Sequence, residues 1–583
     1  MANLDPRLGV EPSMRRIFFS GVAVAAACLA LAACGSKSVA PGPAAPILDV
    51  GSLASDPAAY WNSATVYFLL TDRFANGDPS NDRALGRRQD GAVLRSYMGG
   101  DLKGVLAKLE EGWFDSLGVS AIWMTPFQEQ IHGSVDEGTG KTYAFHGYWT
   151  KDWTAVDPAL GTIEDLRALV EAAHARGIRV ILDAIINHTG PVTPLDPQWP
   201  DEWVRTGPRC TYDSYERTVP CTLVDNLPDI RTERTEPVEL PPELVAKWKR
   251  EGRLEREMAE LEAWFQRTGY PRAPRYYLIK WLTDWVRELG FDGYRVDTAR
   301  NFDEEAALDL KREGELAFAD WKRANPEEVI DDLPFHMFGE VYGYNAEGGR
   351  AFDFGDRDVD YFDYGYDGLI NFGLKDRDGR STDQVFERYS TLLTGGALDG
   401  VSILSYLSSH DDSSPWDPDR RNPFDAAIRL LLAPGGAQIY YGDELSRPLS
   451  VPGAEGDANL RSFMNWEDLE RGGNTGAILA HWRKLARFRA EHPAVGAGEH
   501  TRLSVEPWVF SRTLKRNGSE DRVLVAVGLD RGRVSVPVFG VFPEGSELED
   551  GYSGERATVS DGAVSLLTES GIVLLSPSGA EGS

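Results

Sequence analysis

From about residue 60 the chain alternates short β-branched or aromatic runs with longer amphipathic stretches. Val66-Tyr67-Phe68-Leu69-Leu70 and Ser120-Ala121-Ile122-Trp123-Met124 carry almost no polar positions, the pattern of strands buried on both faces. Between them, Leu102 to Leu117 sets Leu, Val and Trp at helical spacing. Thr162 and Asp165 resemble a capping box ahead of Leu166, Leu169 and Val170, which predicts a helix ending by Gly177. Ile178 to Leu182 follows as a third buried strand. Gly293 to Val296, Phe335 to Gly339, Leu369 to Phe372, Ile403 to Leu407 and Gln438 to Tyr441 bring the strands to eight. Eight strands separated by helices predict an α/β fold, the parallel (β/α)8 or TIM barrel, over residues 60–498.

Two segments break that rhythm. From about 190 to 270 the chain is Pro-rich, holds Cys210 and Cys221, and ends in one charged amphipathic helix from Pro242 to Arg267. It reads as a domain inserted after the third strand. Over 499–583 helices give way to alternating runs such as Val523-Leu524-Val525-Ala526-Val527, which predicts a C-terminal β-sandwich.

The N-terminus reads as a targeting segment, with Arg15 and Arg16 ahead of an apolar run from Ile17 to Ala33. That run is shorter than the roughly 20 residues that cross a bilayer comfortably. Leu31-Ala32-Ala33-Cys34-Gly35 resembles a bacterial lipobox, which implies a signal peptide over 1–33, lipid on Cys34 and a periplasmic or outer-membrane lipoprotein. Met14 offers a second start for a compact signal. Residues 34–59, Pro-, Ala- and Gly-rich from Ser36 to Pro46, read as a tether. In an exported chain Cys210 and Cys221 are expected to form a disulfide; a metal pair is the alternative, but no Cys or His cluster nearby supports it.

Composition then narrows the ligand. Asp plus Glu outnumber Lys plus Arg by 91 to 61, a net charge of −30, which argues against nucleic acid and against unaided adhesion to anionic lipid. The 16 Trp, 21 Tyr and 24 Phe supply flat apolar faces suited to neutral ligands such as carbohydrate.

Catalytic groups of such a barrel sit where strands end, on the C-terminal face. The third strand ends in Asp183, Asn187 and His188, the fourth in Arg295 and Asp297, the fifth in Glu340, and the seventh in His410 and Asp411. A lone acid is ordinarily a solvated charge or a cap, but several strand ends each supply the right type here. One carboxylate to attack an anomeric carbon, one carboxylic acid to protonate the leaving oxygen and a further buried charge are the equipment for glycosidic cleavage.

These segments resemble the conserved regions of glycoside hydrolase family 13, the α-amylase family, and most closely the periplasmic α-amylases of Gram-negative bacteria. Asp183 to His188, Gly290 to Asp297, Phe338 to Glu340 and Leu407 to Asp411 stand in the family's order. Leu227-Pro228-Asp229-Ile230 resembles its short motif in the inserted domain, and His146-Gly147-Tyr148-Trp149 its aromatic motif before strand three. The resemblance covers about residues 60 to 500. It implies a calcium-containing retaining hydrolase of α-1,4-linked maltodextrin or starch. It further implies Asp297 as nucleophile, Glu340 as general acid/base and Asp411 as the transition-state carboxylate, with Arg295, His188, His410, Tyr148, His146, Trp149 and Arg300 around the substrate. Arg295, two residues before Asp297 on one strand, faces the same side and can keep it ionised.

Asn76-Gly77-Asp78-Pro79-Ser80-Asn81-Asp82 and Gly99-Gly100-Asp101 cluster hard oxygen donors suited to Ca²⁺. They resemble a calcium loop of cyclodextrin glycosyltransferases, which implies Asn76, Asp78, Asn81, Asp82, the Gly99 carbonyl and Asp101 as ligands; an Asx-rich turn is the plainer reading. A second site is implied at Asn187 and Asp229. Asp353, Asp356, Asp358 and Asp360 also invite a metal, but a solvated loop is the favoured reading. Arg300 and Asn301 stand where many relatives carry Lys and His, and Ser409 where most carry Asn, changes that touch specificity more than chemistry. A transglycosidase or a cyclodextrin- or branch-cleaving relative is the alternative activity. A non-catalytic glycan-binding protein is a remote one, because all three carboxylates are present. A monomer is favoured.

Overall fold

The computed structural model describes residues 50–579; the targeting segment, Cys34 and the stretch from Ser36 to Pro46 lie outside them. Eight parallel strands close into a barrel: β1 Thr65–Leu69, β2 Ala121–Met124, β3 Arg179–Ala184, β4 Gly293–Val296, β5 His336–Gly339, β6 Gly368–Asn371, β7 Ser402–Ser405 and β8 Gly436–Tyr440. β8 pairs back onto β1, with Thr65 opposite Ala437 and Phe68 opposite Tyr440. Every residue of these strands is buried. Side chains fill the barrel on one face and meet helices on the other, so the strands are mostly apolar without strict alternation, broken by buried polar residues such as Asp183, Arg295 and Asn371.

The helices follow local chemistry. The Thr162–Asp165 capping box is formed in full at the start of α1, Ile163–His174. The stretch from Leu102 to Leu117 is two helices, Leu102–Glu110 and Trp113–Ser116, because Gly112 adopts φ +76°. That left-handed conformation cannot propagate a right-handed helix. Gly252, at φ +71°, likewise divides the expected helix from Pro242 to Arg267 into Pro242–Arg250 and Leu254–Thr268. The ordered fold also begins earlier than residue 60. Leu53 is buried, and helix Pro57–Ser63 packs Trp61 against His336 of β5 with ring centroids 4.3 Å apart.

The insertion after β3 is mostly irregular, and Cys210 is disulfide-bonded to Cys221. Its first helix docks through a buried ionic knot. The Lys247 ammonium donates to Asp152 at 2.7 Å and lies 2.8 Å from Glu129, and Arg253 donates to Asp152 at 2.9 Å. At the C-terminal end, a six-stranded sheet and a two-stranded one enclose their own apolar core, which includes Val509, Leu524, Val536, Leu548, Val564 and Leu575. Among the described residues no helix is long and apolar enough to cross a membrane.

Candidate active site

Backbone register brings the acids together. The Asp297 N–H continues the ladder onto Ala184 of β3, and the Glu340 N–H continues it onto Val296 of β4, each at 3.0 Å. The two residues therefore leave adjacent strands at the same rim. Arg295 lies directly opposite Asp183 across β3 and β4. Its guanidinium donates to Asp183 at 2.8 Å and to Asp297 at 2.6 Å, and stands 2.8 Å from Glu340. The rings of Trp123 and Tyr148 lie 4.9 and 5.7 Å from that guanidinium. Asp183 is saturated by Arg295, Trp123 Nε1 and the Tyr148 hydroxyl, the last two at 2.9 Å. It anchors the arginine below the rim instead of facing the cleft.

Thr298, just after Asp297, takes φ +45°, an uncommon conformation for a β-branched residue. The turn aims its N–H at Glu340 Oε2, 2.9 Å away. Burial pushes the Glu340 pKa up to about 8 against the pull of Arg295, with Asp411 and Asp297 adding to the rise. With Oε2 accepting from Thr298 and facing Arg295, the proton belongs on Oε1. Asp411 is the most open of the three acids, and desolvation inside the cleft raises its pKa to about 6 against the pull of Arg295 and Arg461.

A cleft of about 650 Å³ is lined by Asp297, Glu340, Asp411, His146, Tyr148, Trp149, His188, Arg300 and His410. Arg295 is not in that lining; its buried side chain donates to Asp183 and Asp297 from below the rim. Tyr148 stacks on His410 at 5.0 Å, and its carbonyl lies 3.1 Å from His188 Nε2. Burial lowers the pKa of His146, His188 and His410, leaving neutral imidazoles at the wall. Arg300 donates to the Tyr342 carbonyl at 2.8 Å and lies 4.8 Å from the Tyr212 ring. A smaller cavity of about 420 Å³ shares Glu137, Trp149, Val224 and Leu227 with the cleft and extends it toward Asp136.

Sequence reading missed Arg461, Asp457, Tyr212 and Tyr342, all in the lining. Arg461 pairs with Asp457 at 2.6 Å and donates to the His410 carbonyl at 2.8 Å, which fixes the loop carrying Asp411. A four-residue Asp-to-Arg spacing in a polar loop was the signal, and it is a weak one.

The six residues of the Asn76 loop fall into two contacting groups, Asn76 with Asp82 and Gly99, and Asp78 and Asn81 with Asp101. Asn76 Nδ2 donates to Asp82 at 2.9 Å, and a Cβ on Gly99 would come within 2.6 Å of that same carboxylate. Asp101 caps helix Leu102–Glu110 and also accepts from Gly77 and Asp78, while Lys103 lies 2.7 Å from Asp78. Asn81 Oδ1 is buried and accepts no hydrogen bond. Among the described residues no three His, Cys, Asp or Glu side chains converge as a metal centre. A cation would rest on amide and carbonyl oxygens as much as on carboxylates. The bridge from His188 to Asp229 brings Asn187 to the insertion. There the Asn187 side-chain oxygen faces Asp229 Oδ1 and the Asn301 carbonyl, and only an exchanged amide would donate to them, at 3.2 and 2.8 Å. Three converging oxygens fit a cation equally well. Asp229 is also paired with Arg205 at 2.7 Å. The Asp353-to-Asp360 stretch is a hairpin, Ala351–Asp353 with Asp358–Asp360.

The family model "Alpha amylase, catalytic domain" matches residues 68–230. A periplasmic α-amylase of Escherichia coli (strain K12) is 37% identical over 521 residues, 80% of this chain and 72% of that protein. A cyclomaltodextrinase of a Bacillus species is 27% identical over 82% of this chain and 74% of its own length. The solved α-amylase of Geobacillus thermoleovorans, complexed with acarbose, superposes with a TM-score of 0.62 at 22% identity, covering 89% of this chain and 99% of that one.

Proposed function

This chain belongs to the α-amylase family of glycoside hydrolases, and within it we propose that Asp297, Glu340 and Asp411 carry a retaining cleavage of α-1,4-glucosidic bonds. The enzyme is a glycoside hydrolase of the α-amylase type, and its ligand is an α-glucan. Asp297 Oδ attacks the anomeric carbon while Glu340 passes its proton to the departing glycosidic oxygen. That bond breaks and a glycosyl-aspartate ester forms. Glu340, now a carboxylate, takes a proton from water, whose oxygen attacks the same carbon and releases Asp297. Asp411 steadies the oxocarbenium-like charge in both steps. The carrying observation is the single Arg295 guanidinium that contacts both Asp297 and Glu340. One cation bridging the pair supports the close carboxylate spacing of retaining enzymes.

The extension of the cleft beside Trp149 and Leu227 supports a chain substrate over a single sugar. Ca²⁺ at the Asn76 loop, held by Asn76, Asp78, Asn81, Asp82, Asp101 and the Gly99 carbonyl, would tie the β1 loop to the barrel. At Asn187, Asp229 and the Asn301 carbonyl it would tie the insertion to the rim. Its role at both is structural. Export to the periplasm with lipid at Cys34 is the proposed location, and a monomer the proposed state.

The test is product analysis on maltoheptaose, β-cyclodextrin and pullulan, with the anomer of the first product read by NMR. Maltodextrin products released as the α-anomer support the reading. First-formed β-anomer would end the retaining assignment, and preferential opening or formation of cyclodextrin would favour the cyclodextrin-acting alternative.

A further inference from the structure

A second cleft, of about 640 Å³, opens where the barrel meets the C-terminal sheets, and it shares no lining residue with the catalytic cleft. One side carries Trp416, Ile428 and Asp425 from the barrel, and the other Trp508, Val505 and Val527 from the C-terminal part. Val505 is 70% exposed and adds apolar surface to the rim. Both indoles are only partly buried, and both are held in place. Trp508 Nε1 donates to Asp383 at 2.7 Å, and Asp383, itself 7% exposed, also accepts from Arg502 at 3.0 Å. Trp416 donates its backbone N–H to Leu407 at 2.8 Å, and the guanidinium groups of Arg377 and Arg429 lie 5.3 and 5.8 Å from its ring. Two fixed, partly exposed indoles with carboxylate, amide and guanidinium groups in the same lining suit a glucose unit, whose ring faces are apolar and whose rim is hydroxyl. Trp416 also lies on the loop that carries Asp411, five residues further on, so a glucan held here is tethered beside the catalytic rim.

We propose that the cleft between Trp416 and Trp508 is a second, non-catalytic α-glucan-binding site that retains polymeric substrate on the enzyme. This rests on the α-glucan hydrolase reading above. Full-length chain carrying Asp297→Asn, alone and combined with Trp416→Ala or Val505→Asp, is tested for binding to starch granules. The two cleft substitutions are also made in the active chain and assayed on maltoheptaose. Each is expected to weaken granule binding at least about fivefold, the loss of one stacking or apolar contact, with maltoheptaose turnover unchanged. Unchanged granule binding by both variants overturns the proposal. Equal loss of granule binding and maltoheptaose turnover also overturns it, because the substitutions would then act through the catalytic loop. Absence of maltoheptaose hydrolysis by the unsubstituted chain refutes the underlying activity instead.

Discussion

Arg295 Nη2 stands 2.8 Å from Glu340 Oε2, a permanent cation against the residue proposed as the proton donor. Arginine alone would hold that carboxyl ionised, yet burial outweighs it and lifts the pKa to about 8. The carboxyl is therefore protonated and uncharged through neutral pH and loses its proton on the alkaline side. The rate kcat is expected to fall on a basic limb near pH 8. A kcat that stays level to pH 10 would reject Glu340 as the proton donor.

Glu340→Gln keeps an acceptor for Arg295 and Thr298 but has no proton to deliver. It should lose about 10²–10⁴-fold in kcat, the usual contribution of general acid catalysis. Asp297→Asn should lose at least as much, since no ester can form. Both variants should retain the circular dichroism spectrum and melting point of the parent within a few degrees. Wild-type turnover in either would withdraw the assignment.

Asp152 sits at the centre of the contact between the insertion helix and the barrel. Burial works to raise its pKa, but Lys247 and Arg253 more than offset that and hold it below the ordinary carboxylate range. Its stabilisation is therefore present above the pKa of the unfolded chain and is lost as pH falls through the lowered value. Asp152→Ala removes the carboxylate that both cations share, leaving Lys247 with Glu129 and Arg253 with Glu257, and should destabilise by about 1.5–3 kcal/mol, the worth of hydrogen bonds to charged groups. Urea unfolding at pH 7 and at pH 3, below the unfolded-chain value of about 3.9, measures this. The gap between variant and parent should shrink at the lower pH; an equal gap at both would show that the effect is packing and not charge.

If Ca²⁺ fills the Asn76 loop and the Asn187–Asp229 site, chelation should lower the melting temperature and added Ca²⁺ restore it. At a hundredfold excess over the dissociation constant one ion is worth about 2.7 kcal/mol. Asp82→Ala should abolish the part of the shift owed to the first site. Identical melting with EDTA and with Ca²⁺ would leave the loop an Asx-rich turn held by Asp101 and Lys103.

The eight strands were legible because a barrel buries each of them on both faces, which writes them as mostly apolar runs of the right length. The acids at their ends were legible because the fold puts strand ends at one rim. Local chemistry settled as much again, as the capping box at Thr162 illustrates. Glycine conformation was not written in the pattern: Gly112 and Gly252 break helices that spacing alone runs together. Only the tertiary structure decided that Arg295 lies beneath the acids and out of the cleft, since neighbours across a sheet depend on register and not on sequence distance. It likewise brought Arg461 to the carbonyl of His410 and set Trp416 and Trp508 in the lining of one cleft. The sequence by itself determined the barrel and its chemical endowment, because burial pattern and strand ends are local. Electrostatic tuning and the second cleft came from contacts between distant segments, which a one-dimensional pattern does not encode.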